Sequence, residues 1–399
     1  MSFPRPLERP SVRRASVVAL AFLVLLFAVQ TWRKAYRSDG NDLTSYLAAS
    51  RALAEGSNPY EVDTPFPYIY PLFPALALIP LAKTPYGAAV VLWFALSIAA
   101  LTWVFAWIAR REDPEGRARD AVPIAAIVLI LLTEVVQNNL LNGQVNFVVL
   151  ACSVAAVRAG STGFTSSAWW GVAIATKILP LALAPWWALR RRPLVIIGAV
   201  AIAIALALAP VLVTGRGAVE WTTEYLRGFV GASLEDGLST DTLRFSLYGL
   251  VSRFAPDVSW LPLACALIVL GGAALADARR RSREDDHVAY AMYLAVIPFA
   301  SPKSETHHLA FVLPAAYVCA LRMLRHRVPA GDWRRRTAFL SAALFSTASL
   351  LDVARNWWWS LALVVLCVTI GGLLIEKTEG TERTEKQRRN GVDGGATEK

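Results

Sequence analysis

Long apolar blocks alternate with short polar segments along most of this chain. Several blocks approach the roughly 20 residues that a helix needs to cross about 30 Å of hydrocarbon. Backbone polar groups find no partner in lipid unless they bond within a helix, so the pattern predicts an all-α, polytopic membrane protein. We expect about ten full spans, at residues 15–32, 86–109, 120–136, 141–157, 193–213, 259–277, 288–300, 307–324, 335–353 and 357–375.

Two further apolar segments are interrupted by proline or by charge. Residues 69–82 contain three prolines, and residues 168–189 contain Lys177 and two more prolines. Counting either segment as a full span would put an arginine-rich loop outside, although cytoplasmic loops are the ones that carry an excess of Lys and Arg. We therefore predict two re-entrant or broken helices that line a cavity, where proline and charge are tolerated.

Basic clusters set the predicted orientation. They lie at residues 13–14, 110–119, 190–192, 279–283 and 322–336. Placing them inside makes both termini cytoplasmic and the protein a multi-pass inner-membrane protein. It leaves residues 38–63, 220–241 and 301–306 outside. We expect one domain over residues 1–375, with an outer loop at 33–68, and a disordered cytoplasmic tail at 376–399. The first block is read as a retained span, since no small-residue cleavage site follows it.

Composition narrows the chemistry. Charged residues make up only 18% of the chain, against about a quarter in soluble domains. The net charge of +10 belongs to arginines beside the spans, so we predict no nucleic-acid partner. The four cysteines lie inside apolar blocks without metal-ligand spacing, so we predict neither a metal site nor a cofactor.

The outer loop after the first block carries the first candidate site. Apolar or small residues recur there at a spacing of three to four, which predicts a periplasmic helix lying along the membrane surface. These residues are Leu43, Tyr46, Leu47, Ser50 and Leu53. Asp42 would occupy the N-cap of this helix, where a carboxylate accepts a backbone N–H. Asp42 and Asp39 are each a candidate catalytic carboxylate or a cap, and both readings stay open.

Three other segments carry polar residues beside or inside apolar blocks. Residues 138–147 hold four asparagines and a glutamine, which need a partner at this depth; the alternative is a helix-capping turn at Asn142-Gly143. His307 and His308 are adjacent, so at most one should face the cavity of Asp42, because helical neighbours lie about 100° apart. Lys177 either snorkels to the inner face or contacts a phosphate.

These four segments, in this order, resemble glycosyltransferase family 87. Its characterised members are membrane-embedded enzymes that transfer mannose from polyprenyl-phosphate donors in the synthesis of bacterial envelope glycolipids. The matching motifs are Asp42-Leu43 with Tyr46, Gly56-Ser57-Asn58-Pro59-Tyr60, Tyr70-Pro71, Asn142-Gly143-Gln144-Val145-Asn146, Lys177-Ile178-Leu179-Pro180 and Ser301-Pro302-Lys303-Ser304-Glu305-Thr306-His307. Two departures are Glu305, where an aromatic residue is usual, and residues 244–247, where an Asn-x-Ser element is expected.

The resemblance implies a GT-C fold, and the orientation predicted from the basic clusters makes the active site face outward. It assigns the catalytic aspartate to Asp42, with Asp39 as the fallback, and the motif histidine to His307 or His308. The substrate contacts that we expect are Asp39, Tyr46, Tyr60, Tyr70, Asn142, Gln144, Asn146, Lys177 and Lys303. The partners implied are a polyprenyl-phosphate sugar donor, a lipid-linked or glycan acceptor, and membrane lipids.

Two rival functions use the same polar residues. A transporter or lipid flippase would use the cleft for passage, although such proteins often contain duplicated halves and we find no repeat here. A non-catalytic protein of envelope assembly would keep the motifs without the chemistry. Transfer of a sugar, mannose first, is the function that the sequence favours.

Overall fold

The computed structural model describes residues 6–37, 40–114, 120–158, 163–231, 246–252, 254, 258, 260–280, 286–301, 304–325, 331–347 and 355–375. All regular secondary structure in these ranges is helical. Five helical stretches are long and apolar enough to cross a membrane: Pro10–Ala35, Tyr86–Glu112, Pro193–Thr214, Leu261–Ala278 and Thr306–Leu324. The predicted all-α membrane chain is confirmed at this level, and the count of ten spans stays a prediction.

The helices are numbered in chain order. They are α1 Pro10–Ala35, α2 Asp42–Ala54, α3 Leu72–Ala77, α4 Ile79–Ala82, α5 Tyr86–Glu112, α6 Ala121–Leu131, α7 Thr133–Leu141, α8 Asn146–Arg158, α9 Gly163–Thr176, α10 Ala184–Leu189, α11 Pro193–Leu208, α12 Val211–Thr214, α13 Gly217–Glu224, α14 Leu247–Val251, α15 Leu261–Ala278, α16 Asp286–Ala300, α17 Leu313–Leu324, α18 Trp333–Thr347 and α19 Arg355–Ile375. Short 3₁₀ helices occupy Pro6–Glu8, Leu179–Leu183 and Thr306–Val312, and Tyr225–Gly231 forms a π-helix.

The predicted span at residues 120–136 is not a single helix. α6 and α7 meet at Leu132 with a bend of 75°. At the bend, the Thr133 hydroxyl lies within hydrogen-bonding distance of the carbonyls of Leu129 and Ile130, at 3.1 and 2.7 Å. The bend falls where the apolar run ends at Leu132 and the polar residues Thr133 and Glu134 follow.

The segment around Lys177 forms a helical hairpin, which we call the Lys177 hairpin (residues 163–189). Its arms are α9 and the stretch Leu179–Leu189, and the Trp170 indole N–H donates to the carbonyl of Pro180 at 2.9 Å. The rings of Trp170 and Trp187 lie 5.9 Å apart, so the two arms run side by side. The interruption falls where Lys177 and Pro180 predicted it. The proline-rich segment 69–82 likewise holds only the short helices α3 and α4.

Three helices connect two polar ends of the molecule. α16 is the central one, with every residue from His287 to Ala300 buried. It contacts α5 through His287 and Glu112, and α8 through the Tyr290 hydroxyl, which donates to the carbonyl of Ser153. The 27 residues of α5 rise about 40 Å at 1.5 Å per residue. Asparagines, histidines and tyrosines gather at one end of this trio, and arginines gather at the other. The candidate active site lies at the first end.

Candidate active site

The start of α2 presents Asp42. Asn41, not Asp42, is the N-cap of this helix, so the predicted capping role of Asp42 is wrong. The Asn41 backbone N–H donates to Thr44 Oγ1 at 3.3 Å, and its side-chain amide donates to the carbonyl of Leu141 at 3.2 Å. The Asp42 carboxylate is therefore not used as a cap. Its backbone N–H donates to the carbonyl of Asn142 at 3.0 Å, which joins α2 to the turn after α7.

The turn at Gly143 places the side-chain amides of Gln144 and Asn146. Gly143 follows the C-cap Asn142 at φ +64°. The N–H groups of Gly143 and Gln144 donate to the carbonyls of Leu140 and Asn139 at 3.1 and 2.9 Å, which is a Schellman ending for α7. The predicted capping turn is thus present. The same turn also brings Gln144 and Asn146 into the site, so the two sequence interpretations are compatible.

Gln144 holds the Asp42 carboxylate. The Tyr70 hydroxyl donates to Gln144 Oε1 at 3.0 Å, and burial raises the pKa of Tyr70, so this hydroxyl stays a donor. Because Oε1 accepts from Tyr70, the NH₂ group of the same amide points to the other side, where Asp42 lies. Nε2 then donates a hydrogen bond to Oδ2 of Asp42.

Lys177 enters the site from the tip of its hairpin. Its Nζ donates to Asn146 Oδ1 at 3.0 Å and lies 5.4 Å from the centroid of the Tyr70 ring. A lysine can only donate, so the Asn146 NH₂ group must face away from it. That NH₂ group donates to Asn139 Oδ1 at 2.9 Å and to the carbonyl of His307 at 3.1 Å. Lys177 is therefore paired inside the site, and the snorkelling alternative is wrong.

The two histidines form a directed chain of hydrogen bonds. The backbone N–H of Glu305 donates to His308 Nδ1 at 3.1 Å, and the Nε2 atoms of the two rings lie 3.1 Å apart. With both rings neutral, His308 Nδ1 is an acceptor, so its Nε2–H must donate to His307 Nε2. His307 then carries its proton on Nδ1, which lies 3.5 Å from Glu305 Oε2.

The local electrostatics suit a carboxylate that exchanges protons near neutral pH. Burial is the main cause that raises the pKa of Asp42, to about 6, and the charge of Glu305 raises it further. The positive charges of Lys177 and Lys34 act in the opposite direction. A base whose pKa lies near the working pH is the most effective proton acceptor.

Most of the predicted site residues meet here. One hydrogen-bonded network, with the Lys177–Tyr70 contact, joins Asp42, Gln144, Tyr70, Lys177, Asn146 and His307 to His308. Tyr46 packs edge-on against Tyr70 at 5.1 Å, and the Tyr60 hydroxyl donates to the Tyr70 carbonyl at 2.9 Å. Asp39 and Lys303 lie outside the described residues. In the described part of the chain, no three His, Cys, Asp or Glu side chains are grouped to hold a metal ion.

Sequence reasoning missed Lys34. This residue, near the C-terminus of α1, donates to Asn142 Oδ1. The available signal was Arg33, Lys34 and Arg37 at the predicted outer end of the first span. Cations at that end run against the usual excess on the cytoplasmic side, so they call for a local partner.

Known glycosyltransferases are similar to this chain over most of its length. The family model described as glycosyltransferase family 87 matches residues 68–302. A polyprenol-phosphate-mannose-dependent alpha-(1-2)-phosphatidylinositol pentamannoside mannosyltransferase of Mycolicibacterium smegmatis is 25% identical, over 92% of this chain and 93% of that protein. The phosphatidylinositol mannoside mannosyltransferase of the same organism is 25% identical, over 82% of each chain. No solved structure matches.

Proposed function

Because this chain belongs to glycosyltransferase family 87, we propose that it transfers mannose from a polyprenyl-phosphate donor to a lipid-linked mannoside. The donor follows from the relatives, whose names specify polyprenol-phosphate-mannose. The same names specify phosphatidylinositol mannosides as acceptors. A phosphatidylinositol mannoside is therefore the first acceptor to test.

Asp42 is the proposed general base. It stands at a helix start, is oriented by Gln144, and has a pKa raised to about 6. It removes the proton from the acceptor hydroxyl while that oxygen forms a bond to the anomeric carbon. The orientation of Asp42 by Gln144 is the observation that carries this proposal.

The leaving phosphate lies on the side of the sugar opposite the acceptor hydroxyl, and positive charge is needed there to stabilise it. As the new bond forms, the bond between the anomeric carbon and the phosphate oxygen breaks, and its electron pair stays with the polyprenyl phosphate. Lys177 is half-buried beside Tyr70 and can stabilise that charge. His307 Nδ1–H faces Glu305 at a long 3.5 Å, so a phosphate oxygen can replace Glu305 as its acceptor. The reaction inverts the anomeric carbon.

The amide residues divide between two roles. Gln144 bonds both Asp42 and Tyr70, so we assign it to positioning the base. Asn142 bonds Lys34 and Asn138, and a sugar hydroxyl can compete for either partner. Asn142 is the proposed sugar contact, and Lys34 adds a cation beside it.

The proposed setting is the outer face of the inner membrane, on a GT-C framework. The support is the distribution of charge along the trio α5, α8 and α16. Arginine clusters lie at the end opposite Asp42, and such clusters are characteristic of cytoplasmic ends. Ten spans, cytoplasmic termini and a surface position for α2 complete this proposal.

The test is transfer by the purified full-length protein in proteoliposomes. Labelled polyprenyl-phosphate-mannose and a phosphatidylinositol mannoside are supplied, and the mannosylated product is measured. We expect Asp42→Asn to lower kcat by about 10²–10⁴-fold, the range for loss of a general base. Asp63→Asn is the matched control, because Asp63 is an exposed aspartate of the same loop; it should keep wild-type activity.

Three outcomes would contradict the proposal. If Asp42→Asn keeps near wild-type transfer, Asp42 is not the base, and Asp39→Asn is the next variant to measure. Movement of labelled donor across the bilayer without any mannosylated product would favour a transporter. Binding of donor with neither outcome would favour a non-catalytic role.

A further inference from the structure

A polar cavity lies at the end of the helix trio that is opposite the candidate active site. Its volume is about 770 Å³, and it opens between the ends of α5 and α8, the base of the Lys177 hairpin, and the start of α16. Five arginines line it: Arg111, Arg190, Arg191, Arg192 and Arg280. We call it the arginine cavity. The proposed transfer reaction uses none of these residues.

Positive charge dominates the described wall of this cavity. Asp286 is the one carboxylate that lines it, and it bonds Arg190 at 2.7 Å and also Arg280. Behind the wall, Asp277 bonds Arg190 at 2.8 Å and Arg280 at 3.2 Å. Asp277 and Asp286 thus pair with Arg190 and Arg280, whereas Arg111 and Arg191 have no carboxylate partner in the described part of the chain. Guanidinium groups without a carboxylate in one concave site attract an anion.

The backbone at the mouth of the cavity is strained. Among the described residues, Arg191 is the only non-glycine with a positive φ, +54°. Its N–H donates to the carbonyl of Ala188 at 2.9 Å, and that of Arg192 donates to Trp187 at 3.2 Å. This is a Schellman turn with arginine at the position that usually holds glycine. Glycine would remove the strain, so the arginine side chain must have another use.

The wall also carries hydrogen-bond donors without acceptors. Trp107, Trp186 and Trp187 line the cavity, and their indole N–H groups are buried with no acceptor in the described part of the chain. The Nε–H of Arg190 is also buried without an acceptor among the described residues. Trp186 is only 3% exposed and Trp187 only 1%, so bulk water does not satisfy them. Uncompensated N–H dipoles add to the attraction for an anion.

We propose that the arginine cavity binds the phosphate group of an anionic glycerophospholipid. Arginine forks match phosphate oxygens in pairs, and basic pockets between membrane helices bind anionic head groups. The cavity lies where α5 and α8 end, beside α11, whose outer face exposes apolar side chains such as Leu194 and Ile197. A lipid supplies the phosphate from that side, with its acyl chains left against the helices. This inference does not depend on the proposed transfer reaction.

The test compares two matched pairs of substitutions in the full-length protein. The cavity pair is Arg111→Gln with Arg191→Gly, and the control pair is Arg110→Gln with Arg279→Gln. Arg110 and Arg279 are exposed neighbours of the cavity arginines and do not line the cavity. Each pair removes two positive charges from the same end of the molecule, so any general effect of charge is shared.

Melting midpoints are measured in detergent with phosphatidylglycerol, phosphatidylcholine or inorganic phosphate added. Phosphatidylglycerol should raise the midpoint by roughly 2–4 °C in the wild type and in the control pair. The cavity pair should lose this shift. Without lipid, Arg191→Gly alone should melt at or above the wild-type temperature, because glycine suits the turn.

The opposite results are equally clear. A full shift in the cavity pair, or the same loss in both pairs, would overturn the site. A shift of equal size with inorganic phosphate would overturn the lipid as its source. A lower lipid-free midpoint for Arg191→Gly would overturn the argument from strain.

Discussion

Gln144 donates a hydrogen bond through Nε2 to Oδ2 of Asp42, across 102 positions of sequence. The contact exists because Tyr70 occupies the other end of the amide. Three segments therefore determine where the candidate base points: the start of α2, the turn after α7, and the proline-rich stretch before α3. A carboxylate held in this way loses little freedom when an acceptor hydroxyl arrives.

Replacing Gln144 by leucine should misorient the base without removing it. A hydrogen bond to a charged group contributes about 1.5–3 kcal/mol, so we expect kcat to fall about 10–100-fold. The acidic limb of the pH profile should also move to higher pH, because a donor to the ionised form is lost. Gln137→Leu is the control, since Gln137 bonds Gln30 away from the site, at 2.9 Å. An unchanged limb in Gln144→Leu would contradict a positioning role.

The pH profile should report the charges around Asp42. Asp42 must be ionised to accept a proton, so kcat/KM should rise with pH and level off above about 6, the raised pKa of this carboxyl. Lys177 lowers that pKa and Glu305 raises it. Lys177→Met should therefore move the limb to higher pH, by on the order of 1 unit, and Glu305→Gln should move it to lower pH.

Lys83→Met provides the control for the pH experiment, because Lys83 is exposed and lies outside the network. Its limb should coincide with that of the wild type. Shifts of the same sign in Lys177→Met and Glu305→Gln would show that Asp42 is not the group that titrates. Opposite shifts cannot arise from a general loss of stability, since instability would affect both variants alike.

Much of the fold could be predicted from hydrophobic blocks alone. The breaks at Lys177 and Pro180 were predictable too, because proline removes a helical hydrogen bond and charge is costly in lipid. The bend at Leu132 was not predicted, because Val135 and Val136 follow Thr133 and Glu134, so the block at residues 120–136 has the length and composition of one span.

The members of the site were easier to predict than their partners. Asp42, the amides and the histidines stand out as polar residues next to apolar blocks. The sequence predicted Asp42 as the N-cap, but the N-cap is Asn41. The Asn41 side chain is held by the carbonyl of Leu141, which is 100 positions away in the sequence. The contact between His307 and His308 depends on side-chain rotation, so helical spacing alone could not predict it. Tertiary contacts decide which polar residue pairs with which.

The histidine pair should behave as one unit. His308 fixes the tautomer of His307 through their Nε2 atoms, which lie 3.1 Å apart. We expect His307→Ala and His308→Ala each to lower kcat on the order of 10²-fold. The double variant should lose little more than His307→Ala, because residues that act through one another are not additive. Losses that multiply would mean that the two rings act separately.

Gly143 should be more sensitive to substitution than Gly56, although both have a positive φ, +64° and +76°. A Cβ on Gly143 would lie 2.8 Å from Leu43 Cβ, whereas a Cβ on Gly56 would meet nothing within 4 Å. Alanine at either position carries the same backbone strain, on the order of 1 kcal/mol. Only Gly143→Ala also pushes α2, and with it Asp42, away from Gln144.

The two variants therefore separate strain from displacement. Melting midpoint and transfer activity are measured for both. Gly56→Ala should melt slightly below the wild type and keep its kcat. Gly143→Ala should melt lower still and lose kcat by about 10-fold or more, since displacement of a reacting group by about 1 Å can cost 10²-fold. Equal losses in the two variants would mean that the close approach of α2 to this turn does not position the base.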